Sequence, residues 1–148
     1  MKSGYQEDTS MRVLVCDGLH RQGVKIFQKA KKIEVEVHDK IESQELLELI
    51  PKCEGVVVRS RTKIDGNVLK RGSRLRAIGR AGIGVDNIDI EAATQQGVLV
   101  MNTPGANAVA AAEHALALMM ALARHIPRAD ESVRAGKWEK KKFVGTAS

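Results

Sequence analysis

Strand-like and helix-like segments alternate along the chain, which predicts an α/β domain on a parallel sheet. Five runs read as strands: "RVLVC" (12–16), "KIEVEVH" (32–38), "GVVVRS" (55–60), "RLRAIG" (74–79) and "VLVMN" (98–102). Helical patterns and short turns separate them, as in a parallel sheet covered on both faces. Only residues 33–37 alternate cleanly, Ile33, Val35 and Val37 against Glu34 and Glu36, the period of a half-exposed edge strand. A second strand at the edge fits the order 2-1-3-4-5, the flavodoxin-like doubly wound arrangement.

The elements follow in order. Residues 1–10 read as a polar extension, and Met11 is a second candidate start. In "DGLHRQGVKIFQKA", Leu19, Val24, Ile26 and Phe27 are expected on one helical face. "ESQELLELI" (42–50) is expected to be a helix stopped by Pro51, and "DGNVLKRG" a shorter one. "NIDIEAATQQG" reads as a helix with a left-handed terminus at Gly97. A long apolar helix is expected from about Asn107 to His125, capped by Asn107, broken by Pro127 and buried between two bodies. "RADESVRAGKW" reads as a last short helix and "EKKKFVGTAS" as an extended exit.

Composition narrows the function. The net charge is +6, but the basic residues are scattered and aromatics are 3%, too few to stack bases, which argues against nucleic acid. The run "ALALMMALA" is too short to span a bilayer and the N-terminus does not read as a signal peptide, so a cytoplasmic protein without a membrane role is expected. Cys16 and Cys53 sit beside apolar runs without metal-ligand spacing and are expected to be buried thiols; no metal site is expected.

Ligands of an open α/β sheet bind at the carboxyl ends of its strands. Those ends carry Asp17, Arg59-Ser60-Arg61, the turn "RAGIGVDN" (80–87) and "NTPGAN" (102–107). Gly82 and Gly84 begin a dinucleotide fingerprint, but Asn87 holds the third glycine position and Asn102 the place of the ribose-binding acid, so that reading is rejected. A nest of amides for a small anion such as a carboxylate is expected there instead. Arg59 and Arg61, on one side of an extended strand, suit a phosphate or carboxylate. Asp17 is rejected as a phospho-acceptor because Arg59 and Asn102 stand where that fold needs Asp and Lys. Glu113 and His114 are helix neighbours about 100° apart and are not read as a catalytic pair.

"VVVRSRTKID", "GRAGIGVDNID" followed by "MNTPGAN", and "GKWEKKKFVGT" resemble the D-isomer-specific 2-hydroxyacid dehydrogenases, over Met11 to about Thr146. The likeness points to the NAD-dependent branch that oxidises 3-phosphoglycerate to 3-phosphohydroxypyruvate at the start of serine biosynthesis. It implies a substrate-binding domain at 11–106, then a segment at 107–148 that crosses toward a dinucleotide domain and forms a homo-oligomer through the 107–125 helix. It implies that Arg59, Ser60 and Arg61 contact the phosphorylated end of a small hydroxy acid. It implies that Ala81, Gly82, Ile83 and Gly84 hold its carboxylate, with Arg80 and Asn107 nearby. Ile83 stands where some members have a Thr that touches NAD, so that cofactor contact is weaker. The family's catalytic Arg, Glu and His lie in a later domain, and no residue of these 148 supplies them. A fragment that does not turn over alone is expected. The alternatives are a non-catalytic anion-binding or dimerising module, and a hydroxypyruvate or glyoxylate reductase.

Overall fold

A computed structural model describes residues 10–145, so most of the expected N-terminal extension and the last three residues lie outside the described chain. The elements are β1 Met11–Cys16, α1 Arg21–Lys29, β2 Ile33–His38, α2 Ser43–Leu49, β3 Gly55–Val58, α3 Gly66–Arg71, β4 Ala77–Arg80, α4 Ile90–Gln95, β5 Leu99–Asn102, α5 Ala108–Ala123 and α6 Ile126–Arg134. All strand pairs are parallel and their order is β2-β1-β3-β4-β5, as expected from the edge pattern of the second strand. The chain divides into two compact units between Pro104 and Gly105.

The register of the first unit explains its core. Leu14, Val56, Ile78 and Val100 stand side by side across four strands. The first three are almost fully buried and pack with Leu46 and Ile50 from the α2 segment, Leu69 of α3 and Ala93 of α4. Removing each large aliphatic side chain of this kind from water contributes about 1.5–3 kcal/mol. One residue along, Val13, Gly55, Ala77 and Leu99 form the row on the opposite face. These four, with Met11, Glu54 and Arg76, line an open hollow of about 480 Å³. Leu99 is 59% exposed and Met101 48%, so the second face is covered only in part among the described residues.

Several expectations need correction. In α1, Val24 and Phe27 are half-buried while Ile26 is 71% exposed. Positions 24 and 27 share a helical face, whereas 26 lies about 200° from 24. Pro51 sits inside a tight 3₁₀ turn, Ile50–Lys52, and Pro127 inside the first turn of α6. A first turn asks nothing of the missing N–H, so both prolines open a helical segment. The break after α5 belongs to His125, at φ +52. Lys140–Phe143 is another 3₁₀ turn where an extended exit was expected. α5 has no buried residue among those described, and Val109 and Leu122 are 72% and 78% exposed, against the expectation of burial. Gly97 does terminate its helix segment at positive φ, as expected.

No single helix among the described residues is long and apolar enough to cross a membrane; α5 and α6 meet that length only as a pair bent by 62°.

Both thiols are fully buried and free. Burial, reinforced by the charge of Asp17, pushes Cys16 up to about 12, and burial with the charge of Glu36 pushes Cys53 up to about 11. Thiolate is the reactive form. Both cysteines should therefore resist a thiol reagent in the folded chain near neutral pH and react fully in denaturant. Rapid labelling of either one in the folded state would contradict this packing.

Candidate functional site

The carboxyl ends of β1, β3, β4 and β5 place the candidate residues of the first unit at one edge of the sheet. β3 ends at Val58, earlier than the sequence pattern suggests, so Arg59 and Arg61 lie in a loop and not along a strand. The cause is Asp17. Its carboxylate Oδ2 accepts the backbone N–H of Arg59 at 2.9 Å, of Arg61 at 3.2 Å and of Thr62 at 2.9 Å. Its Oδ1 accepts the Thr62 hydroxyl at 2.6 Å. Four amides that would extend a ladder are turned onto one side chain or left at the tip. Arg59, Ser60 and Arg61 are exposed, and neither arginine forms an ion pair among the described residues.

Asn87 holds the same loop from its carbonyl side. Its Nδ2 donates to the carbonyl of Arg59 at 2.8 Å and to that of Thr62 at 2.6 Å. The Asn87 backbone carbonyl accepts from Ile64 N, and Asp89 N donates to the Ile64 carbonyl. The loop after β3 and the loop after β4 are thereby joined.

The glycine turn differs from the nest expected of it. Neither Gly82 nor Gly84 has positive φ, which an alternating amide nest requires. Their bareness serves a neighbour instead. A Cβ on Gly82 would run into the Arg80 guanidinium, and one on Gly84 would lie 3.0 Å from Asp86 Oδ1. The Arg80 side chain folds over the turn, 11% exposed, with Nη2 3.8 Å from Asp86. Its Nε is buried without a partner. Asn102 Nδ2 donates to the Ile83 carbonyl at 2.7 Å, and Thr103 N to the Gly82 carbonyl, so β5 supports the turn from behind. Ile83 itself is 44% exposed at its tip.

The structure thus brings Arg59, Ser60, Arg61 and residues 80–84 to the ends of adjacent strands. Asn107 belongs to the second unit, at the N-cap position of α5, and makes no side-chain cap bond there. Asp17, Thr62 and Asn87 were not among the residues the sequence singled out as contacts. The signal for Asp17 was its place after a strand; what it does depends on partners more than forty positions away. No group of three or more His, Cys, Asp or Glu suited to a metal occurs among the described residues.

Asp17 is 4% exposed. Burial alone would raise its pKa, but the Thr62 hydroxyl and the amides of Thr62, Arg59 and Arg61 outweigh it and hold the carboxyl below its ordinary value. A carboxylate with a depressed folded pKa stabilises the fold above its unfolded pKa, and that contribution is lost as pH falls through the folded value. Asp17→Asn should therefore destabilise the chain strongly near neutral pH. Its deficit should shrink below about pH 4, where the unfolded carboxyl begins to bind its proton. Urea midpoints of both chains across that range check this, and a deficit independent of pH would count against it.

Comparison with known proteins agrees with the fold. Residues 13–146 match the model of the D-isomer specific 2-hydroxyacid dehydrogenase catalytic domain. A D-3-phosphoglycerate dehydrogenase of Archaeoglobus fulgidus is 51% identical over 135 residues, 91% of this chain but 25% of that protein. This chain spans about a quarter of the length of the curated relatives it matches. Among solved structures, a Thermus thermophilus protein superimposes with a TM-score of 0.81 at 32% identity, over 91% of this chain and 45% of that one. An NAD⁺-bound 3-phosphoglycerate dehydrogenase of Entamoeba histolytica gives 0.68 at 36% identity, over 78% of this chain and 40% of that one. With the family's catalytic-domain model matched over nearly all of its length, the chain belongs to the D-isomer-specific 2-hydroxyacid dehydrogenases.

Proposed function

We propose that these 148 residues are the substrate-gripping part of an NAD-dependent D-3-phosphoglycerate dehydrogenase, and that they do not turn over alone. The observation that carries this is the pair of exposed, unpaired arginines, Arg59 and Arg61, on an anchored loop beside the glycine turn. A guanidinium pair suits a phosphate, and Arg80 over the turn suits a carboxylate. In this reading Arg59, Ser60 and Arg61 hold the phosphorylated end. Arg80 and the Ala81–Gly84 turn hold the carboxylate. Asn107 is the remaining residue that the family likeness assigns to the substrate.

The cofactor finds little here. The turn offers one exposed apolar side chain, Ile83, and the 148 residues contain no complete G-x-G-x-x-G. These residues fit the flank of a nicotinamide and not a whole dinucleotide. NAD supplies the hydride acceptor when bound, and the residues of this chain contribute binding and orientation. The site's buried titratable group, Asp17, is committed to the loop and is not free to move a proton.

The chain mixed with NAD and 3-phosphoglycerate should show no reduction of the cofactor, and measurable NADH would overturn the claim of inactivity. A ¹⁵N-detected titration should show weak binding of 3-phosphoglycerate. Arg59→Ala should abolish that binding; unchanged affinity in this variant would sink the assignment.

Self-association belongs to the same reading. Val109, Leu116 and Met120 share one face of α5 and are more than half exposed, an apolar surface that a second copy would cover. Sedimentation should give a mass above 16.1 kDa, and Leu116→Glu should reduce it. A monomer at high concentration would refute the association.

A further inference from the structure

We propose that Asp17 and Asn87 are positioning residues that set the affinity for the phosphorylated end of the substrate without touching it. The inference rests on the reading above and concerns what makes the arginine loop selective.

Both ends of the four-residue loop are gripped by the same two side chains. At Arg59 the N–H goes to Asp17 and the carbonyl to Asn87. At Thr62 the N–H goes to Asp17 and the carbonyl to Asn87. Arg61 N adds a third amide to the carboxylate. Asp17 thus occupies the place that a bound anion takes in a loop of converging amides. The backbone donors of Arg59, Arg61 and Thr62 are spent internally, so an incoming anion meets the side chains of Arg59 and Arg61 and the exposed tip at Ser60.

Two guanidiniums two residues apart repel one another and lose much rotational freedom when both bind one phosphate. A loop fixed at both ends meets part of that cost in advance, which is the usual source of affinity in a preorganised site. Asp17 also places a buried negative charge against the backbone of both arginines. Asn87 extends the effect sideways. It stands three residues after Gly84, so the phosphate-facing loop and the carboxylate-facing turn share one nearby anchor.

The experiment compares 3-phosphoglycerate with glycerate, which lacks the phosphate, by ¹⁵N titration of the 148-residue chain. Asp17→Asn keeps the size of the side chain but loses an acceptor oxygen and the charge. Its affinity for 3-phosphoglycerate should fall about tenfold or more, the expected result of weakening bonds to a charged group. Its affinity for glycerate should hold, so the preference for the phosphorylated ligand collapses. In parallel, amide relaxation should show Arg59, Ser60 and Arg61 loosened against an unchanged core. A general loss of stability would lower both affinities together and leave their ratio intact.

A folded Asp17→Asn chain that keeps its preference and a rigid loop would overturn the proposal. If circular dichroism shows that this variant does not fold, Thr62→Val decides in its place. It removes the hydroxyl bond to Asp17 and retains the amides, and the same ratio is read. A narrowed preference supports the proposal and an unchanged one overturns it. Arg59→Ala separates the two claims. If it removes the preference while Asp17→Asn does not, only the positioning role fails. If neither changes it, or the unsubstituted chain has no preference, the assignment of the substrate fails as well.

Discussion

A single carboxylate organises the edge of the sheet where the candidate site lies. Asp17 leaves β1 at φ +66, a left-handed conformation that Asp tolerates better than most residues. The buried charge is costly unless its oxygens are satisfied. Three amides and one hydroxyl satisfy them, each such bond contributing about 1.5–3 kcal/mol net. The geometry of the β3 loop follows from this. The chain cannot continue as a strand past Val58 because the amides that would pair are already committed to Asp17. The exposure of Arg59 and Arg61 is a consequence of the same commitment.

Asn87 gives a second constraint of the opposite polarity. Two carbonyls face its side chain, so the group must donate twice, which Asn does and Asp cannot. This fixes the orientation of the amide, since the flipped form would set oxygen against oxygen. The unpartnered Oδ1 left behind is the cost of that choice. The residue that spoils a dinucleotide fingerprint at its third glycine position is therefore the residue that ties the two loops together. A glycine there would leave the carbonyls of Arg59 and Thr62 unsatisfied.

Local signals made most of the fold legible, and long-range ones hid most of the site. The alternation of Ile33 to Val37 marked β2 as an edge strand, and the edge implied the order. Gly97 announced its own left-handed terminus. The errors came where a residue type has two meanings. Pro51 and Pro127 suggest stops, although a proline also begins a helical turn. "GVVV" predicts that the strand runs on through Arg59 and Arg61, and nothing nearby reveals that Asp17, 42 positions earlier, ends it. Gly82 and Gly84 suggest a nest for a small anion, while the space beside them is taken by Arg80 and Asp86 of the same loop.

Arg80 rests on Gly82 with one nitrogen unpartnered and a distant, exposed acid as its ion-pair partner. Exposed pairs of this kind are worth about 0–1 kcal/mol, so little holds the guanidinium's charge in place beyond packing. Arg59 and Arg61 are held by their backbone and free at their tips. The two cationic points therefore differ in kind: one is a packed arginine lying on glycine, the other a fixed loop with exposed side chains. A ligand with two unlike anionic groups matches such a pair better than a symmetrical one. Among the described residues neither point holds a group poised to take a proton, which suits the recognition role proposed for this edge of the sheet.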